Sequence, residues 1–288
     1  MYDFADAAEL IERTKEHQMP IWQVMLHREM ELFNKDEEDI IGRLSHSYDI
    51  MKASTKKPLE EKLETMGRLI GGEGIAIMGN PSPISGKFFQ KVCAYSMAVL
   101  EQNASMGLIV AAPTAGSSGV IPGAFASVQE DHGFSDEQMV KALLTASAIG
   151  YIITRNATVA GAEGGCQAEM GSAAAMAAAG ITELFGGTPD QALAASSMAI
   201  ANMLGLVCDP IAGLVESPCQ TRNAMGATNA IICSDMILAG VPMLVPFDET
   251  VAAMYSVGRS LPFELRETAL GGMAATPTGC ALNCKIFG

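Results

Sequence analysis

Aromatic residues are scarce in this sequence. They make up 6% of its 288 residues, and the alternation of β-branched and polar residues that marks strands appears only briefly. Because strands favour aromatic and β-branched side chains, this scarcity argues against a sheet. Apolar residues instead recur at helical spacing, and alanine- and glycine-rich faces would let helices pack closely. We therefore expect an all-α fold in which residues 1–288 form one compact domain with Gly- and Pro-rich loops, and residues 1–54 form an amphipathic helical N-terminal extension.

Basic residues are also few. Lys and Arg number 18 against 32 Asp and Glu, which gives a net charge of -14. An acidic surface repels nucleic acid and anionic membranes, so neither is an expected partner. The chain begins with an acidic, amphipathic stretch, unlike a signal peptide. Residues 102–129 carry no charge, but Pro and Gly interrupt them, so we expect buried core and loops there instead of a membrane span.

The sequence has no Cys-x-x-Cys pair, and its four histidines all lie outside the cysteine-bearing segments. These absences argue against a zinc ribbon and against a mixed Cys/His zinc site. Seven cysteines are an odd number in a chain with no sign of secretion. That favours free thiols or metal ligands in a reducing cytoplasm over a disulfide framework. Cys93 and Cys233 fall within apolar helical patterns, and we expect them to be ordinary core residues.

Three other cysteines, Cys166, Cys208 and Cys219, each lie beside glycine or proline. Cys166 precedes an Ala-rich helical stretch, where a helix N-terminus favours the thiolate form that binds metals. The spacing alone is a weak signal, so ordinary burial remains an alternative to a metal site. An all-thiolate site would suit iron–sulphur chemistry. Three ligands on a four-iron cluster would leave one iron open to act as a Lewis acid.

Local signals place several helix boundaries. Ser135 before two acidic residues and Thr188 before Pro189 are both typical helix starts. Residues 166–185 are predicted to form the Ala-rich helix, and a further helix is predicted from about Thr221 to Gly240. The segment 55–90 has Gly and Pro at turn spacing and is predicted to be irregular.

Four long strings carry a family resemblance: NASMGLIVAAPTAGSSGVIPG, GAEGGCQAEMGSAAAMAAAG, GLVCDPIAGLVESPCQTRNA and RETALGGMA. They resemble the signatures of the iron–sulphur-dependent L-serine dehydratases, specifically their α chain, over roughly residues 90–273. The resemblance implies an all-α catalytic fold that converts L-serine to pyruvate and ammonia. It also implies a [4Fe–4S] cluster bound by Cys166, Cys208 and Cys219.

The resemblance further implies a partner. Single-chain relatives carry a separate α/β domain with a Ser-His-Thr-type motif, which is absent here; the nearest string is Ser45-His46-Ser47. This pattern looks like the two-chain form of the enzyme, a hetero-oligomer in which a β subunit supplies that domain. We expect the general base, or a residue that completes the site, to come from the β subunit.

Two departures from the family pattern stand out. The family's Pro-Thr-Asn-Gly is Pro-Thr-Ala-Gly here, at residues 113–116, so a loop Asn contact is missing or replaced. Single-chain relatives end on a cysteine that can occupy the open iron when substrate is absent. Cys280 lies at nearly the same distance after the glycine pair, and Cys284 follows. We hypothesise that one of them is a resting-state ligand.

Removing water from serine requires an electrophile for the hydroxyl and a base near the α-proton. The substrate carboxylate also needs donors, which a Gly-rich anion-binding nest or a helix N-terminus can provide, and a bidentate arginine can add to either. The catalytic candidates are Arg222, Asn223 and Lys87. The substrate-binding candidates are Asn103, Thr114, Ser117, Ser118 and Gly119.

Structural roles compete with these assignments. Arg222 would equally suit a salt bridge, Asn103 and Thr114 helix-end or turn capping, and Lys87 a plain helix start. We expect Glu163 and Glu169, which flank Cys166, to be hydrogen-bonded to loop amides and to have no catalytic role.

Two other functions remain open. A pyridoxal-phosphate dehydratase catalyses the same net reaction, but it needs a Schiff-base lysine and a phosphate loop, normally on an α/β scaffold. Ser85-Gly86-Lys87 is only a faint match to that requirement. The alternative without catalysis is a helical scaffold whose thiols are simply buried.

Overall fold

The computed structural model describes all residues from 1 to 288 and confirms the all-α fold. It contains thirteen α-helices and no strand, apart from one isolated bridge between Cys208 and Arg266. The helices are α1 (Ala7–His17), α2 (Ile21–Phe33), α3 (Glu37–Glu60), α4 (Glu73–Met78), α5 (Gly86–Ala104), α6 (Val120–His132), α7 (Asp136–Asn156), α8 (Gly161–Gly164), α9 (Ser172–Leu184), α10 (Pro189–Ala201), α11 (Cys219–Leu238), α12 (Phe247–Ser260) and α13 (Pro277–Phe287). Short 3₁₀ turns occur at Ala115–Ser117, Ile211–Gly213, Phe263–Leu265 and Gly272–Ala275, and a π-helical turn at Gln167–Gly171.

The Ala-rich helix α9 lies at the centre of the molecule. It packs against α7, α10 and α11, and its residues from 172 to 182 are all buried. Small side chains allow this close approach: a Cβ at Gly180 would lie 2.7 Å from the Ala142 carbonyl oxygen of α7. Small side chains on α9 therefore allow the backbones of neighbouring helices to pack close to it.

Acidic side chains of the core cap the first two helices. The carboxylate of Asp248 in α12 accepts hydrogen bonds from the backbone N–H groups of Ala7 and Ala8. Glu183 in α9 likewise accepts from the N–H groups of Ile21 and Trp22, at 2.6 and 3.2 Å. These contacts satisfy N–H groups that a helix start leaves unpaired. The first three helices, α1 to α3, extend to residue 60, and α2 and α3 pack directly on α7 and α5.

Both predicted helix starts are confirmed. Ser135 caps α7 and Thr188 caps α10, each in a reciprocal capping box with the glutamine three residues later. Two differences appear. The segment 55–90 is less irregular than predicted, because α3 continues to Glu60 and α4 forms from residue 73. A terminal helix, α13, begins at Pro277 behind a Thr276 cap.

The loops between these helices meet on one side of the core. The backbone N–H of Cys208 donates to the Leu265 carbonyl oxygen at 2.9 Å, and the N–H of Glu267 donates to the Cys208 carbonyl oxygen at 2.7 Å. The Gln167 N–H donates to the Leu206 carbonyl oxygen at 2.9 Å. Segments distant in sequence are thus held together where the cysteine-bearing loops lie. None of the helices combines the length and apolar character needed to cross a bilayer.

Candidate active site

Three elements deliver the three predicted cluster cysteines. Cys166 lies just before the π-helical turn, an element frequent at functional sites. Cys208 lies in the loop that pairs with Arg266, and Cys219 is the first residue of α11. Their exposed fractions are 1%, 3% and 5%, so all three thiols are inside the protein.

The three thiols share one environment. The pKa of the Cys208 thiol is raised, mainly by its interaction with the Cys166 thiol and further by burial. Burial raises the pKa of Cys219, and Cys166 adds to this effect. Each of these shifts requires Cys166 to lie near the other cysteine. The fold therefore brings together residues separated by 42 and 11 positions in the chain.

The chemistry of these donors is compatible with an iron–sulphur cluster. All three are buried sulphur atoms, and soft sulphur ligands are the ones that such clusters prefer. No group of three or more His, Cys, Asp or Glu side chains is arranged around one ion position. Binding iron would require deprotonation of these thiols.

Arg222 is engaged by the protein itself. Its Nη1 lies 2.8 Å from Asp209 Oδ1 and donates to the Val207 carbonyl oxygen at 2.9 Å. Asp209 Oδ1 accepts no hydrogen bond of good geometry, so its contact with Arg222 is an ion pair held by charge. Both side chains are largely buried. The structure thus shows the salt bridge considered as the alternative role, and a direct contact with substrate stays a prediction.

Asn223 ties the Gly-rich loop to the start of α11. Its Nδ2 donates to the carbonyl oxygens of Gly116 and Cys219 at 2.7 and 2.8 Å, and its Oδ1 accepts from the Gly119 N–H at 2.9 Å. A Cβ at Gly119 would lie 2.3 Å from the Ser96 carbonyl oxygen, so only glycine fits this approach to α5. Asn223 is fully buried and uses all of these groups internally.

The predicted anion nest is closed in this structure. The Ser117 N–H faces Thr114, the Ser118 N–H donates to the Ala115 carbonyl oxygen, and the Gly119 N–H donates to Asn223. The Ser118 hydroxyl also donates to the Ala115 carbonyl oxygen, at 2.8 Å. Ser117 and Ser118 are fully buried. Their polar groups therefore shape the loop and leave no free donor for an anion.

Glu169 hydrogen-bonds to side chains, whereas the sequence predicts bonds to loop amides. Its Oε1 accepts from the Thr114 hydroxyl at 2.7 Å. Its Oε2 lies 3.8 Å from Cys208 Sγ. Burial raises the pKa of this carboxyl group. The spacing carries a signal: Glu169 lies three residues after Cys166, and residues three apart in a helix share a face. Glu163, by contrast, is exposed.

The two remaining candidates lie at opposite ends of α5. Asn103 is half-buried, one turn after Leu100, which packs against Cys219. Lys87 is exposed and donates to the Asn80 carbonyl oxygen at 3.2 Å. At the rise of an α-helix, sixteen residues separate Lys87 from Asn103 by about 24 Å. The structure brings Asn103 towards the cysteines and leaves Lys87 at the far end of the helix.

The terminal cysteines are exposed. Cys280 and Cys284 lie on α13, which packs against the 3₁₀ turn Ile211–Gly213 between Cys208 and Cys219. The Cys280 thiol lies 3.8 Å from the Ala274 carbonyl oxygen. Neither thiol is buried with the other three, so ligation by either one would require α13 to move.

Comparison with known proteins identifies the family. The sequence model of the serine dehydratase alpha chain family matches residues 16–274. The chain belongs to this family. It is 48% identical to the probable L-serine dehydratase alpha chain of Bacillus subtilis strain 168, over 99% of this chain and 96% of that protein.

Two further relatives distinguish the forms of the enzyme. The L-serine dehydratase alpha chain of Peptoniphilus asaccharolyticus is 47% identical over 95% of this chain and 94% of its own length. The L-serine dehydratase TdcG of Escherichia coli K12 is 34% identical over 95% of this chain, but the match covers only 62% of its length. The chain thus matches nearly the whole length of the two alpha chains, but only about three-fifths of the Escherichia coli protein.

Proposed function

We propose that this chain is the cluster-bearing α chain of an L-serine dehydratase, which converts L-serine to pyruvate and ammonia in the cytoplasm. The observation that carries the proposal is the meeting of three buried thiols, Cys166, Cys208 and Cys219, delivered by three separate segments. The family and the names of its relatives support the substrate. All seven cysteines are free, which agrees with a reducing compartment.

A [4Fe–4S] cluster held by Cys166, Cys208 and Cys219 would supply a Lewis acid for the departure of the substrate hydroxyl. The chain's own residues would bind and orient the substrate. Thr114 presents a hydroxyl beside Glu169, and Asn103 lies one turn of α5 after Leu100, which packs against Cys219. Asn223 would hold the loop that contains Thr114 in register with the cluster cysteines, through its bonds to Gly116 and Cys219.

The buried pair of Arg222 and Asp209 would position the site. Asp209 follows Cys208 directly, and Arg222 lies one turn after Cys219, so their ion pair joins two of the three ligand-bearing segments. Asp209 Oδ2 also accepts from the Met273 N–H at 2.7 Å, which anchors the C-terminal segment. Through these contacts the pair would fix the spacing between the two thiols.

Cysteine variants test the cluster. Cys166→Ser, Cys208→Ser and Cys219→Ser, each purified anaerobically, are expected to lose most of the bound iron and sulphide, the brown absorbance and the pyruvate-forming activity. Cys93→Ser serves as the matched control, since this half-buried thiol belongs to α5 and no part of the site depends on it. Iron content and turnover that survive all three ligand changes would refute the proposal.

A β subunit would complete the enzyme. The match to only 62% of the longer Escherichia coli relative supports a second component with the rest of that protein's sequence. We propose that it contributes the α/β domain with a Ser-His-Thr-type motif and the missing base, in a hetero-oligomer with this chain. The cluster-bearing α chain alone should then be nearly inactive and recover activity when the β subunit is added. Full activity of the pure α chain would contradict this assembly.

Cys280 or Cys284 would bind the cluster when substrate is absent. The packing of α13 beside the loop between two cluster cysteines supports this role. Iron spectra of the resting enzyme should differ between the wild type and the Cys280→Ser/Cys284→Ser double variant. Identical resting spectra would remove the idea.

A further inference from the structure

Glu169 stands out as a buried carboxylate with no cationic partner. It is 8% exposed, and the groups around it are the Thr114 hydroxyl, the Cys208 thiol and the carboxylate of Glu267. Burying an unpaired charge is costly, and protein carboxylates inside a fold are normally paired with a cation or well supplied with donors. Its donors are the Thr114 hydroxyl on Oε1 and the Cys208 thiol on Oε2, and both donors are neutral. An ionised Glu169 therefore has no positive partner in the chain.

Two glycines approach this carboxylate closely. A Cβ at Gly116 would lie 2.6 Å from Glu169 Oε1, and a Cβ at Gly161 would lie 2.6 Å from Oε2 and 3.0 Å from Cys208 Sγ. A side chain at either position would clash with the acid, so only glycine fits there. The backbone therefore packs against the carboxylate from two sides, and neither residue places a polar side chain on its oxygens.

We infer that Glu169 is the residue that binds the α-ammonium group of the amino-acid substrate. The inference rests on the function proposed above. The ammonium would supply the missing positive charge, and a charge-assisted hydrogen bond to a buried carboxylate is among the stronger polar contacts. Because Oε2 lies 3.8 Å from Cys208 Sγ, an amino acid held at Glu169 sits beside a proposed cluster ligand. The same acid would discriminate against hydroxy acids that lack the amine.

The test compares two ligands that differ by the ammonium group: L-serine and β-hydroxypropionate, which keeps the carboxylate and the β-hydroxyl. Glu169→Gln is measured in the anaerobically prepared, cluster-bearing enzyme with its partner chain, and Glu163→Gln is the control. We expect Glu169→Gln to raise the KM for L-serine by about 10- to 100-fold. The inhibition constant of β-hydroxypropionate, and the change it causes in the cluster absorption spectrum, should shift by less than about threefold.

Equal losses for the two ligands would overturn the inference, because they would mean that Glu169 only shapes the site. A fall in kcat with an unchanged KM would also overturn it, since it would indicate a role in the chemical step. Should the glutamine variant fail to fold or to load iron, Glu169→Asp retains the charge on a shorter side chain. Its preference for L-serine over β-hydroxypropionate must then fall, and an unchanged preference refutes the assignment. A wild-type protein without cluster or pyruvate formation would refute the proposed function before any variant is compared.

Discussion

Replacing Asp209 by asparagine is expected to destabilise the folded protein through one buried charge. The Asp209 side chain is 3% exposed and that of Arg222 14%, so solvent and salt screen the pair weakly. Burial lowers the pKa of Arg222, but Cys166 and Asp209 raise it more, so its guanidinium stays charged. Asparagine can still accept the hydrogen bond from the Met273 N–H. The substitution therefore isolates the loss of the negative charge.

The expected cost is about 3–5 kcal/mol, the range found when one partner of a buried ion pair is removed and the other stays behind uncompensated. Arg222 keeps its hydrogen bond to Val207, which should hold the value near the lower end of that range. Urea unfolding followed by far-ultraviolet circular dichroism, extrapolated to water, gives the free energy.

A double-mutant cycle separates the ion pair from other effects. Arg222→Met alone leaves the Asp209 carboxylate unpaired, whereas the Asp209→Asn/Arg222→Met protein buries no charge at this point. The double variant should be more stable than the sum of the single losses predicts, with a coupling of about 1–3 kcal/mol. A loss below about 1 kcal/mol for Asp209→Asn, together with no coupling, would refute the reasoning, because it would place the pair among solvent-screened surface contacts.

Three further predictions follow from particular contacts. Asn223→Ala removes three internal hydrogen bonds and should cost about 2–4 kcal/mol in urea unfolding; a loss below about 1 kcal/mol would contradict the tie it forms. Burial raises the pKa of Glu183 above its ordinary value of 4.5. The protonated side chain therefore contributes its full stabilisation of the folded protein below that pH, and this stabilisation falls as the pH rises. The destabilisation caused by Glu183→Gln should therefore shrink with rising pH, and a pH-independent difference would exclude this linkage. Gly180→Ala should destabilise by about 1–3 kcal/mol because its Cβ meets the Ala142 backbone, whereas Gly42→Ala, with open space around it, should stabilise α3 by about 0.5–1 kcal/mol. Thermal and urea unfolding of the two alanine variants would show effects of equal sign if the packing argument were wrong.

Much of the fold follows from local signals. Ser135 and Thr188 mark the starts of α7 and α10 because an N-cap depends on a hydroxyl and on residues within one turn. The Thr276-Pro277 pair carries the same signal at the start of α13. The short helix α4 lies in a Gly-rich segment where Glu101, in α5, accepts from the Gly72 and Gly74 N–H groups. These hydrogen bonds stabilise the start of α4, and no pattern within residues 71–78 predicts them, because Glu101 lies in another helix.

The amino-acid order by itself determined the helical class, the main helix starts and which thiols lie beside glycine or proline, since these depend on neighbours within a few positions. Tertiary structure decided what each polar group meets. Thr114 and Glu169 lie 55 residues apart, and Met273 lies 64 residues from Asp209. Folding creates these pairs, closes the loop amides of 117–119 and leaves Glu169 without a cation. The physical reason is desolvation, because a buried charge or donor must pair with the groups that folding places beside it. The spacing of residues in the sequence does not determine which groups these are.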